Sequence, residues 1–532
     1  MKIVKAFFLA ALMLCLAGNA LGQDVCTAPV KTASGMVKGF AEKDGGSCSW
    51  LGVPYVAAPV GDLRWKAPAP AVAWSGVREA DKWGARCVQN GVMELVNYDP
   101  SGKMSEDCLF LNIWRPDKPG KFPVMFWVHG GGYMGGTGNT DMYRGDRMAA
   151  ASEVVVVTFN YRLNIFGFMA LPALKAEDLN QSTGNYGMLD QVAALKWVHD
   201  NISGFGGDPD NVTIFGESAG GGSIYILLAT PLTKGLFHKA IMESGGIDGA
   251  EILEQTFKQM PRLVETLGCK MDDLACLRQV PAKKLLKAVP GMMMSRMYSP
   301  HVDGYLLTAQ PVELVKSNRF NNVPFMAGSN LNEADILVAL NSDLRRTKPA
   351  HYQEMIVKKL GATPEEAEKI AQLYPLSEYD NKPINAFKRI GSEASMPCAG
   401  LLGAKEVAGF QKQVYLYRFD YHNIMGGKWV GAFHSLEMPF IFNTMDQKPL
   451  SMVLKTKNQK EMDELSRIMQ GYWTNFAKTG NPNGPGIPEW PAFQLDSPQV
   501  QVLDTRTRPE DVNNQKQCEF WKYYDKSTIP GL

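Results

Sequence analysis

Residues 211–229, NVTIFGESAGGGSIYILLA, place a Gly-x-Ser-x-Gly motif between an apolar, β-rich run and a run of small and apolar residues. The first run predicts a strand, and the second predicts a helix. Gly216 and Gly220 permit a sharp turn between the two without Cβ clashes, which leaves the hydroxyl of Ser218 exposed. The N-terminus of the following helix favours negative charge at the same point. This context indicates a reactive serine rather than a glycine-rich packing turn.

The segments on either side of this turn alternate between predicted strands and predicted helices. The pattern favours one large α/β domain with a mostly parallel central sheet flanked by helices. We find no internal repeat and no long linker that would divide it. Strands are predicted at 122–128, 154–159, 211–215, 239–242, 323–327 and 414–419, and helices at 186–200, 219–229 and 461–478. The apolar face of the last helix is expected to carry Ile468, Met469, Tyr472, Trp473 and Phe476.

A glycine run, HGGG at 129–132, follows the predicted strand 122–128. Alone, such a run predicts only a flexible turn. Upstream of a reactive serine it is more specific, because glycines let backbone N–H groups approach an oxyanion closely. We expect the amides of Gly131 and Gly132, with that of Ala219, to form a three-donor oxyanion hole.

A serine nucleophile also needs a base, and the base needs an acid that orients it. When the serine lies on a strand-to-helix turn of this kind, the acid and then the histidine follow later in the chain. Glu333 lies shortly after the predicted strand 323–327, and Asp335 is its nearby competitor. His434 and His422 are the candidate bases, since His351 fits a helix surface. Position alone leaves both pairs of alternatives open.

Composition excludes some classes of function. Of the 532 residues, 45% are hydrophobic and 20% are charged, as in a globular protein with a large core. Lys and Arg number 55 against 54 Asp and Glu, without clusters of either sign, so charge recruits neither nucleic acid nor an anionic membrane surface. No cysteine or histidine spacing indicates a metal site, and the serine chemistry inferred above requires no metal or organic cofactor.

The N-terminus has the layout of a secretory signal peptide. Two lysines precede an apolar stretch at 6–17, and ALG at 20–22 supplies small residues for a signal peptidase. We expect residues 1–22 to be removed and 23–532 to form the mature protein, secreted or periplasmic and without stable membrane insertion. Losing Cys15 reduces nine cysteines to eight, an even number that favours disulfides in an exported chain.

Further motifs occur in order along nearly the whole mature chain. They are LGVPY at 51–55, PVGDLRW at 59–65, SEDCLFLN at 105–112, NYR at 160–162, GNYG at 184–187, VDG at 302–304, GAFH at 431–434 and NFAKTG at 475–480. On these residues the chain resembles the type-B carboxylesterase/lipase family. The resemblance implies an α/β-hydrolase fold with helical insertions around the site. It also implies hydrolysis of carboxylic esters, with a small-molecule ester and water as the substrates.

The resemblance assigns roles to individual residues. It implies that Ser218, Glu333 and His434 form the catalytic triad, and that Ser244 supports the triad from behind. It also implies three disulfides and leaves two cysteines to form a fourth pair: Cys87–Cys108, Cys269–Cys276, Cys398–Cys518 and Cys26–Cys48.

The pocket is harder to derive from the sequence. Tyr98 stands where cholinesterases carry their choline-binding tryptophan, which argues against a dedicated cholinesterase. We place Glu217 in the pocket, with Met293, Met294 and Met297 from a methionine cluster that could equally be a helix packing face. The sequence favours an esterase for small or medium soluble esters. An interfacial lipase is the alternative, followed by a binding or adhesion protein of the same fold.

Overall fold

The computed structural model describes residues 24–90, 99–289, 298–448, 450–454 and 458–523. Its strands, in chain order, are β1 Val30–Lys31, β2 Met36–Lys38, β3 Phe40–Ala41, β4 Ser47–Pro54, β5 Val77–Glu79, β6 Arg86–Cys87, β7 Met104–Ser105, β8 Phe110–Pro116, β9 Phe122–Val128, β10 Val155–Phe159, β11 Gly207–Glu217, β12 Lys239–Glu243, β13 Glu251–Ile252, β14 His301–Val302, β15 Phe325–Asn330, β16 Val414–Phe419, β17 Gln499–Leu503 and β18 Arg508–Asp511.

The helices in the same part of the chain lie mostly between these strands. They are α1 Asp146–Ser152, α2 Asn164–Phe168, α3 Pro172–Glu177, α4 Tyr186–Asn201, α5 Ala219–Ala229, α6 Leu253–Leu267, α7 Leu274–Gln279, α8 Ala282–Ala288, α9 Pro311–Lys316, α10 Asp335–Leu340, α11 Ser342–Arg346, α12 Tyr352–Leu360, α13 Pro364–Leu373, α14 Pro383–Ala394, α15 Met396–Ala408, α16 Gly427–Val430, α17 Met438–Phe442, α18 Gln459–Thr479 and α19 Gln515–Tyr523.

One 11-stranded sheet organises the fold, in the order β18-β17-β16-β15-β12-β11-β9-β10-β8-β4-β3. The strands from β17 to β10 in that order are parallel to their neighbours. Antiparallel strands extend the sheet at both ends. The prediction of a large, mostly parallel sheet flanked by helices is confirmed. Because the carboxyl ends of parallel strands meet at one edge, the loops after β9, β11, β12 and β15 converge there.

Strand β9 shows why the sheet is buried on both faces. Its side chains alternate, with Val124, Phe126 and Val128 in the core on one side and Met125 and Trp127 in the core on the other. A strand covered by helices on both faces needs apolar residues at every position, and FPVMFWV supplies them. The long helix α18 packs on the second face and buries the five apolar residues expected there.

Some predicted bounds are wrong by a few residues. Strand β11 begins at Gly207, earlier than the predicted 211–215, because Gly207 pairs with Phe122 across an irregularity before Val212. Strand β15 runs from Phe325 to Asn330, later than the predicted 323–327. The later end brings Glu333 within three residues of the carboxyl edge of the sheet.

All four expected disulfides are formed: Cys26–Cys48, Cys87–Cys108, Cys269–Cys276 and Cys398–Cys518. The last of these joins α15 to α19, across 120 residues of sequence. Within the described ranges, none of the helices has both the length and the apolar character needed to cross a membrane. The expected signal peptide, residues 1–22, lies outside the described residues.

Candidate active site

Ser218 lies on a tight turn between β11 and α5. Its φ of 59° and ψ of −124° are unusual for a residue with a side chain, and the backbone N–H donates to the Glu243 carbonyl at 2.9 Å. Cβ atoms placed on Gly216 and Gly220 would lie 2.7 and 2.0 Å from the Val128 carbonyl oxygen. Only glycine therefore fits at these two positions, and the turn packs directly against β9.

The glycine run after β9 borders this turn. A Cβ on Gly130 would lie 2.9 Å from the Cβ of Ser218. Gly131 and Gly132 have φ values of 109° and 63°, which turn the backbone in a way that disfavours other residues. Within the described residues, the N–H groups of Gly131, Gly132 and Ala219 donate to no protein acceptor outside helices and strands. Ala219 is the first residue of α5, so its N–H has no partner inside the helix.

His434 and Glu333 meet at the carboxyl edge of the sheet. Nδ1 of His434 lies 2.6 Å from Oε2 of Glu333. The other carboxylate oxygen of Glu333 accepts from the Ser244 hydroxyl at 2.6 Å and from the Asn330 N–H at 2.7 Å. Glu333 and Ser244 are buried, and His434 is half-buried. Three donors thus fix the acid, and the acid fixes the imidazole.

The competing residues lie elsewhere. Asp335 begins α10 and pairs with Lys388 at 3.4 Å. His422 is exposed and bonds its own chain at the Asp420 carbonyl. His351 is exposed as well, as expected for a helix surface. Of the alternatives that position left open, the geometry brings together Glu333 and His434.

The second ring nitrogen of His434 faces Glu217. Nε2 lies 3.1 Å from Oε1 of Glu217, and the same oxygen accepts from the Ser435 hydroxyl at 2.6 Å. Within the described residues, no hydrogen bond joins the hydroxyl of half-buried Ser218 to this nitrogen. Bonds between a base and its nucleophile are often loose before substrate binds and tighten in the complex. Glu217, expected to line the pocket, thus contacts the imidazole.

Electrostatics distinguish half-buried His434 from the buried histidines. Burial opposes its charged form, but the carboxylates of Glu217 and Glu333 outweigh that cost and raise the pKa of His434 to about 10. His129 is buried against Tyr161 without a carboxylate partner, and burial lowers its pKa to about 4.

Sequence reasoning missed two acidic residues around this site. Glu437 lies three residues after His434, directly before α17, where Asn330 donates to its carboxylate at 2.5 Å. Glu243 ends β12, and Trp473 of α18 donates to it at 2.5 Å. Burial raises the pKa of both carboxyls well above their ordinary value. For Glu437, the i, i+3 spacing from His434 was the one feature of the sequence that could have indicated a place near the site.

Four expected pocket residues, Tyr98, Met293, Met294 and Met297, lie outside the described residues.

Comparison with known proteins places this geometry in context. A sequence profile described as "Carboxylesterase family" matches residues 27–521. The chain is 37% identical to a para-nitrobenzyl esterase of Bacillus subtilis (strain 168), covering 92% of this chain and 98% of the relative. It is 33% identical to liver carboxylesterase 1 of Oryctolagus cuniculus, over 97% of this chain and 96% of the relative. A solved Geobacillus stearothermophilus carboxylesterase superposes with a TM-score of 0.81 at 34% identity, covering 93% of this chain and 99% of that one. A thermophilic PNB esterase gives a TM-score of 0.80, with the same identity and coverage.

Proposed function

The chain belongs to the carboxylesterase family, and from that premise we propose that it hydrolyses carboxylic esters through an acyl-enzyme on Ser218. His434 is the base in this mechanism, and Glu333 is the acid that orients it. The observation that carries the proposal is the convergence, at one edge of the sheet, of the strained Ser218 turn and the His434–Glu333 bond of 2.6 Å. Strain of this kind, of order 1–3 kcal/mol, is retained mainly at functional sites.

The reaction proceeds in two halves. In the first, the hydroxyl oxygen of Ser218 attacks the ester carbonyl while Nε2 of His434 accepts the hydroxyl proton. The amides of Gly131, Gly132 and Ala219 bind the resulting oxyanion, and their lack of protein acceptors supports this role. His434 then gives the proton to the leaving alcohol, and the ester bond breaks. In the second half, His434 takes a proton from water as the water attacks the acyl-enzyme, and it returns that proton to the Ser218 oxygen as the carboxylic acid product leaves.

His434 must be neutral at Nε2 to accept that proton. Its raised pKa of about 10 means that activity rises with pH across the neutral and mildly alkaline range. Nε2 must also come within hydrogen-bond reach of the Ser218 hydroxyl when substrate binds.

We further propose small or medium soluble esters as substrates. One observation favours the interfacial lipase as the second candidate. Trp429 is 78% exposed and lies in α16, which precedes His434 in the chain. Leu340 is 71% exposed and ends α10, which follows Glu333. Exposed apolar side chains of this kind are suited either to the apolar part of a dissolved ester or to a lipid surface.

We also propose that the protein is exported as one domain, residues 23–532, after loss of residues 1–22. The four disulfides support this, because such bonds persist in oxidising compartments.

Hydrolysis of p-nitrophenyl esters from acetate to palmitate, by wild type and Ser218→Ala, tests the proposal. Turnover that the mutation abolishes supports the serine mechanism, and an optimum at short or medium chains supports the substrate class. A folded wild type without turnover on any chain length argues against both. Activity that jumps above the solubility limit, and is lost in Trp429→Gln but retained in Leu179→Gln, favours the lipase. Leu179 is a suitable control because it is 99% exposed.

A further inference from the structure

Ser435, the residue after the proposed base, has an unusual backbone. Its φ of 68° lies in the left-handed region, which costs a residue with a side chain about 1 kcal/mol or more. The conformation turns the hydroxyl toward β11, where it donates to Oε1 of Glu217 at 2.6 Å. A glycine would adopt this φ without strain. The presence of serine at this position therefore calls for an explanation in terms of its hydroxyl.

The oxygen that Ser435 contacts is the one that faces the imidazole. Oε1 of Glu217 lies 3.1 Å from Nε2 of His434, while Glu333 holds Nδ1 at 2.6 Å. A carboxylate oxygen thus contacts each nitrogen of the imidazole. The hydroxyl of Ser435 determines where the second of these carboxylates points.

The surroundings of Glu217 disfavour its charge. Glu217 is buried, and the other ionisable groups that act on it electrostatically are, apart from His434, acids: Glu333, Glu437, Glu243, Tyr143 and Tyr417. Burial raises the pKa of Glu217, whereas His434 and the Ser435 hydroxyl lower it. Within the described residues, His434 and Ser435 are therefore the two groups that favour the charged form of this carboxyl.

We propose that Ser435 is a positioning residue that keeps Glu217 anionic and aimed at Nε2, and thereby sets the pH range in which His434 works as a base. This inference rests on the proposed function of His434. The anion at Nε2 strengthens the imidazole's hold on its proton, so the free base forms at higher pH. The same anion stabilises the imidazolium that forms when Ser218 gives up its proton, so the limiting rate is higher.

Two substitutions separate the hydroxyl from the backbone strain. Ser435→Gly and Ser435→Ala both remove the hydroxyl, but only glycine relieves the positive φ. Without the hydroxyl, Glu217 protonates more readily and stabilises the imidazolium of His434 less. The pKa of His434 therefore falls, and its neutral form appears at lower pH. We expect the acid limb of the kcat/KM–pH profile to move down by about one pH unit in both variants. We also expect the limiting kcat at high pH to fall several-fold.

Profiles of p-nitrophenyl acetate hydrolysis from pH 5 to 10.5, corrected for spontaneous hydrolysis, measure both effects. If Ser435 had a purely structural role, its loss would lower the rate by the same factor at every pH. Alternatively, Ser435→Ala would change the pH profile and Ser435→Gly would keep that of the wild type. Either result overturns the inference. Thermal unfolding of the two variants accounts for strain, since only Ser435→Ala retains it.

A double-mutant cycle with Glu217→Gln tests whether Ser435 acts through Glu217. Glu217→Gln should move the acid limb in the same direction and further, because it removes the charge itself. Adding Ser435→Gly to Glu217→Gln should then move it no further. Additive shifts would show that Ser435 acts by another route and would contradict the inference. Failure of the proposed function is a separate result, seen when Ser218→Ala retains wild-type activity.

Discussion

Half-buried His434 and buried His301 show how different environments give opposite chemistry. His301 begins β14, and within the described residues its ring nitrogens hydrogen-bond to neutral partners, the Gly184 carbonyl at 3.1 Å and the Thr256 hydroxyl at 3.0 Å. Burial lowers the pKa of His301 to about 4, with the hydrogen bond to Gly184 and the charge of Asp303 opposing the shift. His434 faces two carboxylates, and its pKa rises to about 10 despite the cost of burial.

Burial alone does not make a histidine a base. Burial makes His301 a neutral structural group that joins the loop before α4 to α6. At His434, two carboxylates reverse the sign of the shift and also fix the ring's direction.

Replacing each histidine should affect different properties. His434→Ala should lower kcat by about 10⁵-fold or more, because the serine loses its base. His301→Ala should leave kcat within about tenfold and lower the unfolding temperature instead, because it removes two buried hydrogen bonds. Single-turnover kinetics and thermal unfolding on both variants measure this separation. A large loss of kcat in His301→Ala, or a small one in His434→Ala, would break the contrast.

The two neighbouring acids can be separated in the same way. Glu333→Gln should lower kcat by about 10⁴-fold, since an amide cannot hold the imidazole in the required tautomer or stabilise its charge. Asp335→Asn should lower kcat far less, because within the described residues Asp335 pairs with Lys388 at 3.4 Å and forms no hydrogen bond or ion pair with His434. Steady-state kinetics decide the assignment. Equal losses in the two variants would mean that the acid has been wrongly identified.

The oxyanion hole predicts a smaller effect. A Cβ on Gly131 would lie 2.2 Å from the Gly135 carbonyl oxygen, so Gly131→Ala must displace the loop and its N–H donors. We expect kcat to fall about 100- to 1000-fold. Gly235→Ala is the matched control, because Gly235 also has a positive φ, 80°, but open space around it. A similar loss of kcat in both variants would point to backbone strain instead of the hole.

His301 also predicts a dependence of stability on pH. Its folded-state pKa of about 4 is below the ordinary value of 6.5, so the folded state binds a proton less readily than the unfolded state. The stability it contributes is full above pH 6.5 and is lost as the pH falls from 6.5 toward 4. Between pH 7 and pH 4.5 this amounts to about 2 kcal/mol. Urea unfolding of wild type and His301→Gln at both pH values measures this effect. The free energy of unfolding should fall less in the variant between pH 7 and pH 4.5, and equal losses would contradict a lowered pKa of His301.

The sequence predicted those parts of the fold and site that depend on neighbours in the chain. The Ser218 turn follows from two glycines and the change from a strand pattern to a helix pattern within 19 residues, 211–229. The apolar face of α18 follows from helical spacing. The family resemblance supplied the pairing of cysteines and the choice between His434 and His422.

Contacts between distant segments could not be predicted in this way. Ser435 meets Glu217 across 218 positions of the sequence, and Trp473 meets Glu243 across 230. Buried polar contacts of this kind leave no periodic pattern, because each depends on where two elements end in space. The bounds of β15 were missed for a related reason, since pairing with β12 and β16 determines where that strand ends.

A fluorophosphonate, which reacts with activated serine hydroxyls, tests most directly whether Ser218 is the nucleophile and His434 its base, once the adduct is mapped by mass spectrometry. We expect one adduct, on Ser218, and labelling at least about 1000-fold slower in His434→Ala, on the order expected for loss of the base. An adduct on another serine such as Ser244, or labelling of Ser218 at the wild-type rate in His434→Ala, would contradict this assignment.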